Sequence, residues 1–387
     1  MAEPSPPERD HGGGVRVASF GMALGETSGM RDHARLLAEA LPAEGIGSSL
    51  HWLVREQRSL AGAHREVAAW ARALEGALRE ERPRALVMHY ASFAYAQRGI
   101  PVFLAPALRV ARRSGVPLIA VMHELAYPFR GGASGYLWAS TQRAALLALM
   151  RASAAAVVTT EQRVAWLRSR RWLPERPVAF APVYSNLPPP APEVPVDELR
   201  LGLFGYAYEG ANRGLVLDAL ARLRERLPAR LELLGAPGPG TATAAAWLEQ
   251  AERRGVAQAI TFSGRLPAQE LSDELAACAV LLCAASPGPT PRKGTLAASL
   301  ASGRPVVAID GHLTWQELCE QDALSVVAPD GDALAAELGR LLSDGGAREA
   351  LGGRGRAFHD RRMAASCTAR LVSAIVADLP PPERSRS

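Results

Sequence analysis

Short apolar runs alternate with longer stretches of helical period along most of the chain, and this alternation limits the possible folds more than any other feature. In the first half the runs at 15–20, 48–54, 85–89, 117–123, 154–159 and 178–183 predict strands, with amphipathic helices between them, as at 30–41 and 65–79. Several strands are apolar throughout. That suits a parallel sheet covered on both faces. A proline-rich stretch from Leu187 to Pro195 follows, lacking backbone donors and stiff, as a linker should be. The alternation then restarts at 199–204, 231–235, 259–262, 279–284, 305–309 and 324–327. Two such series predict an α/β protein of two doubly wound, Rossmann-like domains facing a cleft. The boundaries expected are 15–186 and 199–361, with a linker at 187–198 and a last helix at 362–379. Residues 1–14 and 380–387 read as disordered tails.

Composition agrees with two folded domains. The 387 residues are 48% hydrophobic, which excludes wholesale disorder, and are too many for one core. The net charge of +5 is modest, aromatic residues make up only 6%, and the arginines are scattered beside acidic residues. A nucleic-acid partner is therefore not expected. The clusters at 168–171 and 354–362 read as solvated helix faces, with contact to anionic lipid as the alternative. Cys278, Cys283, Cys319 and Cys367 show no C-x-x-C spacing, so zinc-finger and redox-motif chemistry is not expected. Cys278 and Cys283 read as small buried hydrophobes. The amino terminus lacks the order of a signal peptide, and no run reaches the ~18 apolar residues of a spanning helix. A cytoplasmic protein, peripheral at a membrane at most, is expected.

Ligands of doubly wound sheets bind beyond the carboxyl ends of the strands, so the loops there hold the candidate chemistry. The first strand leads into Gly25, Thr27, Ser28 and Gly29 before a helix, a turn that lets amides approach an anion. It matches neither G-x-G-x-x-G nor a Walker loop. Its plainer reading is a tight turn with Thr27 or Ser28 as helix cap. His89 and His123 close two further strands, and Tyr127, Arg130, Gly131 and Gly132 follow His123 in a polar loop suited to a sugar or polyol. His123 is the candidate catalytic residue. The alternative for each histidine is a buried structural role, satisfied by backbone.

In the second series Arg213 opens a helix after a loop containing Glu209. A cation there opposes the helix dipole and needs a reason, such as a bound phosphate or escape to solvent. The segment Thr290-Pro291-Arg292-Lys293-Gly294-Thr295 is the most informative: two cations, a glycine and a hydroxyl at the start of a small-residue helix make an anion site by composition. Lys293 is the only lysine among 44 basic residues. Asp330-Gly331-Asp332 matches a D-x-D metal signature but precedes an Ala/Leu helix, so capping is the expected role. No metal ligand set is assigned.

Taken in order, these segments resemble glycosyltransferase family 4, retaining enzymes of the GT-B fold that use nucleotide-diphosphate sugars. The resemblance runs through the 25–29 loop, His123-Glu124, Val183 to Asn186 and the Gly205 to Gly214 loop. It continues through Phe262-Ser263-Gly264 with Glu270-Leu271, Ala301-Ser302-Gly303-Arg304-Pro305-Val306-Val307, and Asp332-Ala333-Leu334. It implies an acceptor domain followed by a donor domain, with the last helix crossing back to the first. Arg213, Lys293, Gly294 and Thr295 would bind the donor diphosphate, His123 would contact the transferred sugar, and the 25–29 loop would lie near donor phosphate or acceptor. The family's Glu-x7-Glu pair, which supports donor sugar and ribose, falls here on Thr290 and Ala298. Glu209, Thr290 and Arg292 are the candidates to replace those contacts.

The activity expected is retaining, metal-independent and cofactor-free sugar transfer to a glycan, lipid or small-molecule acceptor. The rivals are a non-catalytic subunit binding a glycan or partner protein, and a sugar-nucleotide epimerase or phosphorylase of the same fold.

Overall fold

The computed structural model describes residues 14–25, 28–206 and 212–380. These form two compact units, each built on a six-stranded sheet in which the paired strands run parallel. Every run predicted as a strand is one.

The first unit comprises residues 14–158, 164–179 and 369–380 of the described chain. Its strands are β1 (Arg16–Leu24), β2 (Gly47–Arg55), β3 (Ala85–Tyr90), β4 (Leu118–Met122), β5 (Ala155–Val158) and β6 (Val178–Phe180). Its main helices are α1 (Gly29–Ala40), α2 (Leu60–Glu81), α3 (Leu104–Ser114), α4 (Gly132–Ala152) and α5 (Glu161–Arg168). The sheet order is β2-β1-β3-β4-β5-β6, so the topology reverses between β1 and β3. Every residue of β3 and β4 is buried, which explains why β4 is apolar throughout and β3 is apolar up to His89.

The second unit comprises residues 159–163 and 180–368. Its strands are β7 (Asp197–Phe204), β8 (Arg230–Leu234), β9 (Ile260–Gly264), β10 (Cys278–Cys283), β11 (Val306–Ile309) and β12 (Ser325–Val327). Its helices are α6 (Arg213–Arg224), α7 (Ala242–Glu252), α8 (Ala268–Ala277), α9 (Gly294–Ala301), α10 (Gln316–Glu320), α11 (Gly331–Ser343) and α12 (Gly345–Phe358). The order β12-β11-β10-β7-β8-β9 reverses between β7 and β10. Val280 and Leu282 of β10 join one core cluster, with Leu220 and Leu338, while Leu281 joins another with Leu300 and Trp315. A strand feeding cores on both faces has no polar side to show.

The chain ends in α13 (Ala365–Asp378), and residues from 369 onward belong to the first unit. Arg84, just before β3, donates to the carbonyls of Leu379 and Pro380 and so ties the end of the helix to that unit. Among the described residues no helix is long and apolar enough to cross a membrane.

Candidate functional site

The two topological reversals fix where loops diverge, and a gap for a ligand opens beyond the carboxyl ends of the strands at each. In the second unit β7 and β10 flank the reversal, and a pocket of about 80 Å³ lies there. Leu203, Gly205, Cys283, Lys293, Thr295 and Ser299 contribute to its wall. Lys293 takes the cap position of α9 with extended backbone and makes no side-chain cap bond, leaving the first amides of the helix uncapped by it. Gly294 is the first helical residue. A Cβ there would meet nothing closer than 3.9 Å, from the Tyr184 carbonyl and Val183, so the fold itself does not require glycine. Val183 donates its N–H to the Pro291 carbonyl at 2.8 Å, which fixes the proline-constrained loop. Burial pushes the Cys283 thiol up to about 11, against the opposing pull of the nearby Lys293 ammonium.

Thr290 and Ala298, which occupy the places of the acidic pair, are both buried. Thr290 Oγ1 has no hydrogen-bond partner among the described residues, and the Thr290 carbonyl accepts from the Lys293 N–H at 3.3 Å. Arg292 is exposed. Glu209 lies outside the described residues.

The loop before α6 is joined to the same strand end. Asn212 donates its N–H to the Ala284 carbonyl at 2.8 Å, and Ser286 Oγ donates to Asn212 Oδ1 at 3.0 Å. The Arg213 guanidinium itself turns elsewhere, 6.0 Å from the ring centre of Trp247 on α7. With the Gln250 amide oxygen facing it, Nε and Nη2 donate to that oxygen at 3.1 Å. Lys293 and Thr295 thus share one pocket wall, and Arg213 sits on a tethered neighbouring loop with its side chain packed against α7. Asp330 caps α11 by accepting from the Ala333 N–H at 2.9 Å, and Asp332 pairs with Arg222, so the D-x-D segment is structural.

In the first unit, loops leave the carboxyl ends of β1, β3 and β4. Gly25 has φ +76°, a left-handed conformation that favours glycine, and donates to the Arg55 carbonyl at 3.4 Å. Ser28 caps α1, its Oγ accepting from the Arg31 N–H at 3.4 Å, and Gly29 begins the helix. Thr27 lies outside the described residues. His89 is fully buried at the end of β3, and His123 is half-buried directly after β4. His89 Nδ1 lies 3.4 Å from His123 Nε2.

A third imidazole, absent from the sequence reading, completes this group. His33 of α1 is buried, with its ring edge-on to His123 at 4.6 Å between centroids and 5.7 Å from that of His89. One nitrogen from each of the three lies within 4.8 Å of the others. Burial, then the neighbouring imidazoles of His123 and His89, holds the His33 pKa well below the ordinary histidine value. Burial and His123 do the same for His89. Both are therefore neutral at physiological pH. The loop after His123 is braced by Gln142 of α4, which accepts from the Tyr127 N–H at 2.7 Å and donates to the Gly99 carbonyl at 3.0 Å.

Comparison with known proteins adds to this geometry. Residues 199–344 match the sequence family described as glycosyl transferases group 1, a span that covers most of the second unit. No curated protein sequence matches the chain. Among solved structures, the sucrose-phosphate synthase of Thermosynechococcus elongatus aligns with a TM-score of 0.67 at 16% identity, over 94% of this chain and 98% of that one. A glycosyltransferase from Rickettsia africae gives 0.67 at 11% identity, over 95% and 100%. HepE of Anabaena, in complex with UDP and glucose, gives 0.64 at 13%, over 94% and 100%. The fold is GT-B: two doubly wound α/β domains, as the sequence pattern predicts.

Proposed function

We propose that the protein transfers a glycosyl group from a nucleoside-diphosphate sugar to an acceptor hydroxyl, with retention at the anomeric carbon and without a metal cofactor. The observation that carries this reading is the pocket at the β7/β10 reversal, where an ammonium, a hydroxyl and the first amides of α9 converge in the unit that matches glycosyl transferases group 1. Departure of a nucleoside diphosphate builds negative charge on the leaving phosphate. Lys293 and the amides at Gly294 and Thr295 are fixed in advance to stabilise it. Arg213 joins them by releasing Gln250. The movement this reading asks for is a side-chain rotation at a helix start that Asn212 ties to the residue after β10.

No acidic pair stands at Thr290 and Ala298. The mechanism we infer, from the resemblance to retaining enzymes, is a same-face substitution in which the departing phosphate assists the incoming hydroxyl, and Thr290 Oγ1 supplies the donor a hydrogen bond in place of the acidic pair. His123 contacts the transferred sugar in this reading, and the loop at Gly25, Ser28 and Gly29 faces donor phosphate or acceptor. The Anabaena neighbour crystallised with UDP makes uridine donors the first to try.

The test is a panel of nucleotide-diphosphate sugars assayed by thermal shift and donor hydrolysis, followed by NMR of the product. A melting shift with one nucleotide, slow hydrolysis of its sugar and a retained anomeric configuration are expected. Inversion would remove the same-face mechanism. Nucleotide binding without turnover across a broad acceptor set would instead favour a non-catalytic binding subunit, the reading suggested by the missing carboxylates.

A further inference from the structure

Three imidazoles meet at the carboxyl ends of β3 and β4 with no carboxylate among them, an arrangement that neither sugar binding nor packing demands. A tetrahedral zinc ion with Zn–N bonds of about 2.0–2.1 Å sets its ligand nitrogens roughly 3.3–3.4 Å apart. The His89 Nδ1 to His123 Nε2 distance is 3.4 Å, and the third donor nitrogen lies within 4.8 Å of both. Closing the set around an ion takes movement on the order of 1 Å in one side chain. As a hydrogen bond the same 3.4 Å contact is long. His89 Nε2 has no partner at all among the described residues, although the ring is fully buried. On that side no hydrogen bond fixes the His89 ring, so what its Nδ1 meets decides the orientation of the ring.

We infer that His33, His89 and His123 form a site for a single zinc-class dication, with its fourth position open on the half-buried His123 side. The donor set selects the ion. Neutral imidazoles suit Zn²⁺, Co²⁺, Ni²⁺ and Cu²⁺, whereas Mg²⁺ and Ca²⁺ want oxygen ligands. The rings come from three separate elements, α1, β3 and the β4 loop, and the backbone around them is anchored. The His89 carbonyl accepts from Tyr95 Oη at 3.0 Å, and the His123 N–H donates to the Tyr90 carbonyl at 2.8 Å.

A consequence follows that rests on the proposed transferase reading. If His123 contacts the transferred sugar, a dication held on its ring opposes the positive charge that grows on the anomeric carbon and takes the imidazole nitrogen away from the sugar. Zinc is then an inhibitor of transfer, not its cofactor.

Equilibrium dialysis of the full-length protein against buffered Zn²⁺ should give one tightly held equivalent, and Co²⁺ should show the intense visible bands of tetrahedral coordination. In His33→Gln and His89→Gln that equivalent should weaken at least tenfold. If either variant fails to fold, NMR of the wild-type protein labelled with ¹⁵N-histidine replaces it. Zinc should shift the signals of these three imidazoles and leave those of His51 and His64 in place. No stoichiometric zinc bound by the wild type, unchanged affinity in folded variants, or shifts confined to other histidines would each overturn the site. Zinc bound at the three histidines with undiminished sugar transfer would uphold the site and instead remove His123 from the sugar.

Discussion

Replacing Lys293 by alanine separates binding of the donor phosphate from stability of the fold. Lys293 takes the cap position of α9 without a side-chain cap bond, so truncating it removes no cap from the helix, and the apo protein should melt within about 4 °C of the wild type. Affinity for a nucleoside diphosphate should fall much further. A half-buried ammonium against a phosphate oxygen contributes roughly 1.5–3 kcal/mol, as charge-assisted hydrogen bonds do. Loss of about 1.5–3 kcal/mol raises the Kd about 10- to 150-fold. Lys293→Arg keeps the charge but spreads it over a planar fork, in a pocket of about 80 Å³ that suits a compact head group. Its affinity should lie between those of the wild type and Lys293→Ala. Calorimetric titration with UDP, or whichever nucleotide gives the largest melting shift, measures all three proteins, and repeating it at higher salt should shrink the difference. A Kd for Lys293→Ala within twofold of wild type, with the apo fold intact, would refute the phosphate assignment. Full affinity in Lys293→Arg would refute the argument from shape alone.

Gly294→Ala should fold normally, because its Cβ meets no atom closer than 3.9 Å, yet a methyl at the first helical residue obstructs the phosphate and should weaken nucleotide binding about tenfold. Unchanged affinity would place the anion elsewhere. Asp330→Ala removes a cap from α11 and should lower the melting temperature by roughly 2–4 °C through the loss of about 1 kcal/mol, while nucleotide binding with and without divalent ions stays the same. A loss of binding dependent on metal would revive the D-x-D reading. Cys278 is buried at the start of β10, and burial pushes its thiol up to about 12. Its stabilising contribution is complete below the ordinary thiol pKa of about 8.5 and is lost as pH rises from there toward 12, because the unfolded chain ionises first. The melting temperature should therefore drop between about pH 8.5 and pH 10.5 less steeply in Cys278→Ala than in the wild type. Identical slopes would count against that assignment.

The strands were legible because each central one is apolar on both faces. β10 sends Val280 and Leu282 to one core cluster and Leu281 to another, the pattern of a strand covered on both faces. Strand order was not legible, since the same βα alternation serves both β2-β1-β3-β4-β5-β6 and β12-β11-β10-β7-β8-β9. The candidate site divides along the same line. Lys293, Gly294 and Thr295 are consecutive, so composition alone marked them, and the fold had only to place a helix start at the reversal. The histidines come from positions 33, 89 and 123, and become neighbours only when β3 and β4 lie side by side with α1 packed at their carboxyl ends.

One signal for His33 did exist. It shares the buried face of α1 with Ala34 and Leu37, where an imidazole replaces the aliphatic residue the helical period calls for. A histidine spaced as core, on the first helix after the first strand loop, faces the carboxyl end of a doubly wound sheet. Arg213 shows the opposite limit. Its place on the chain pointed to phosphate, but the direction of its side chain depends on Trp247 and Gln250, some thirty-five residues on, and no local pattern carries that. The single lysine among 44 basic residues gains meaning from this contrast. Arginine reaches outward and takes partners from distant helices, as Arg213 does. A lysine at the head of α9 carries a compact point charge with no planar face to stack or fork to pair, and such a charge suits a phosphate oxygen.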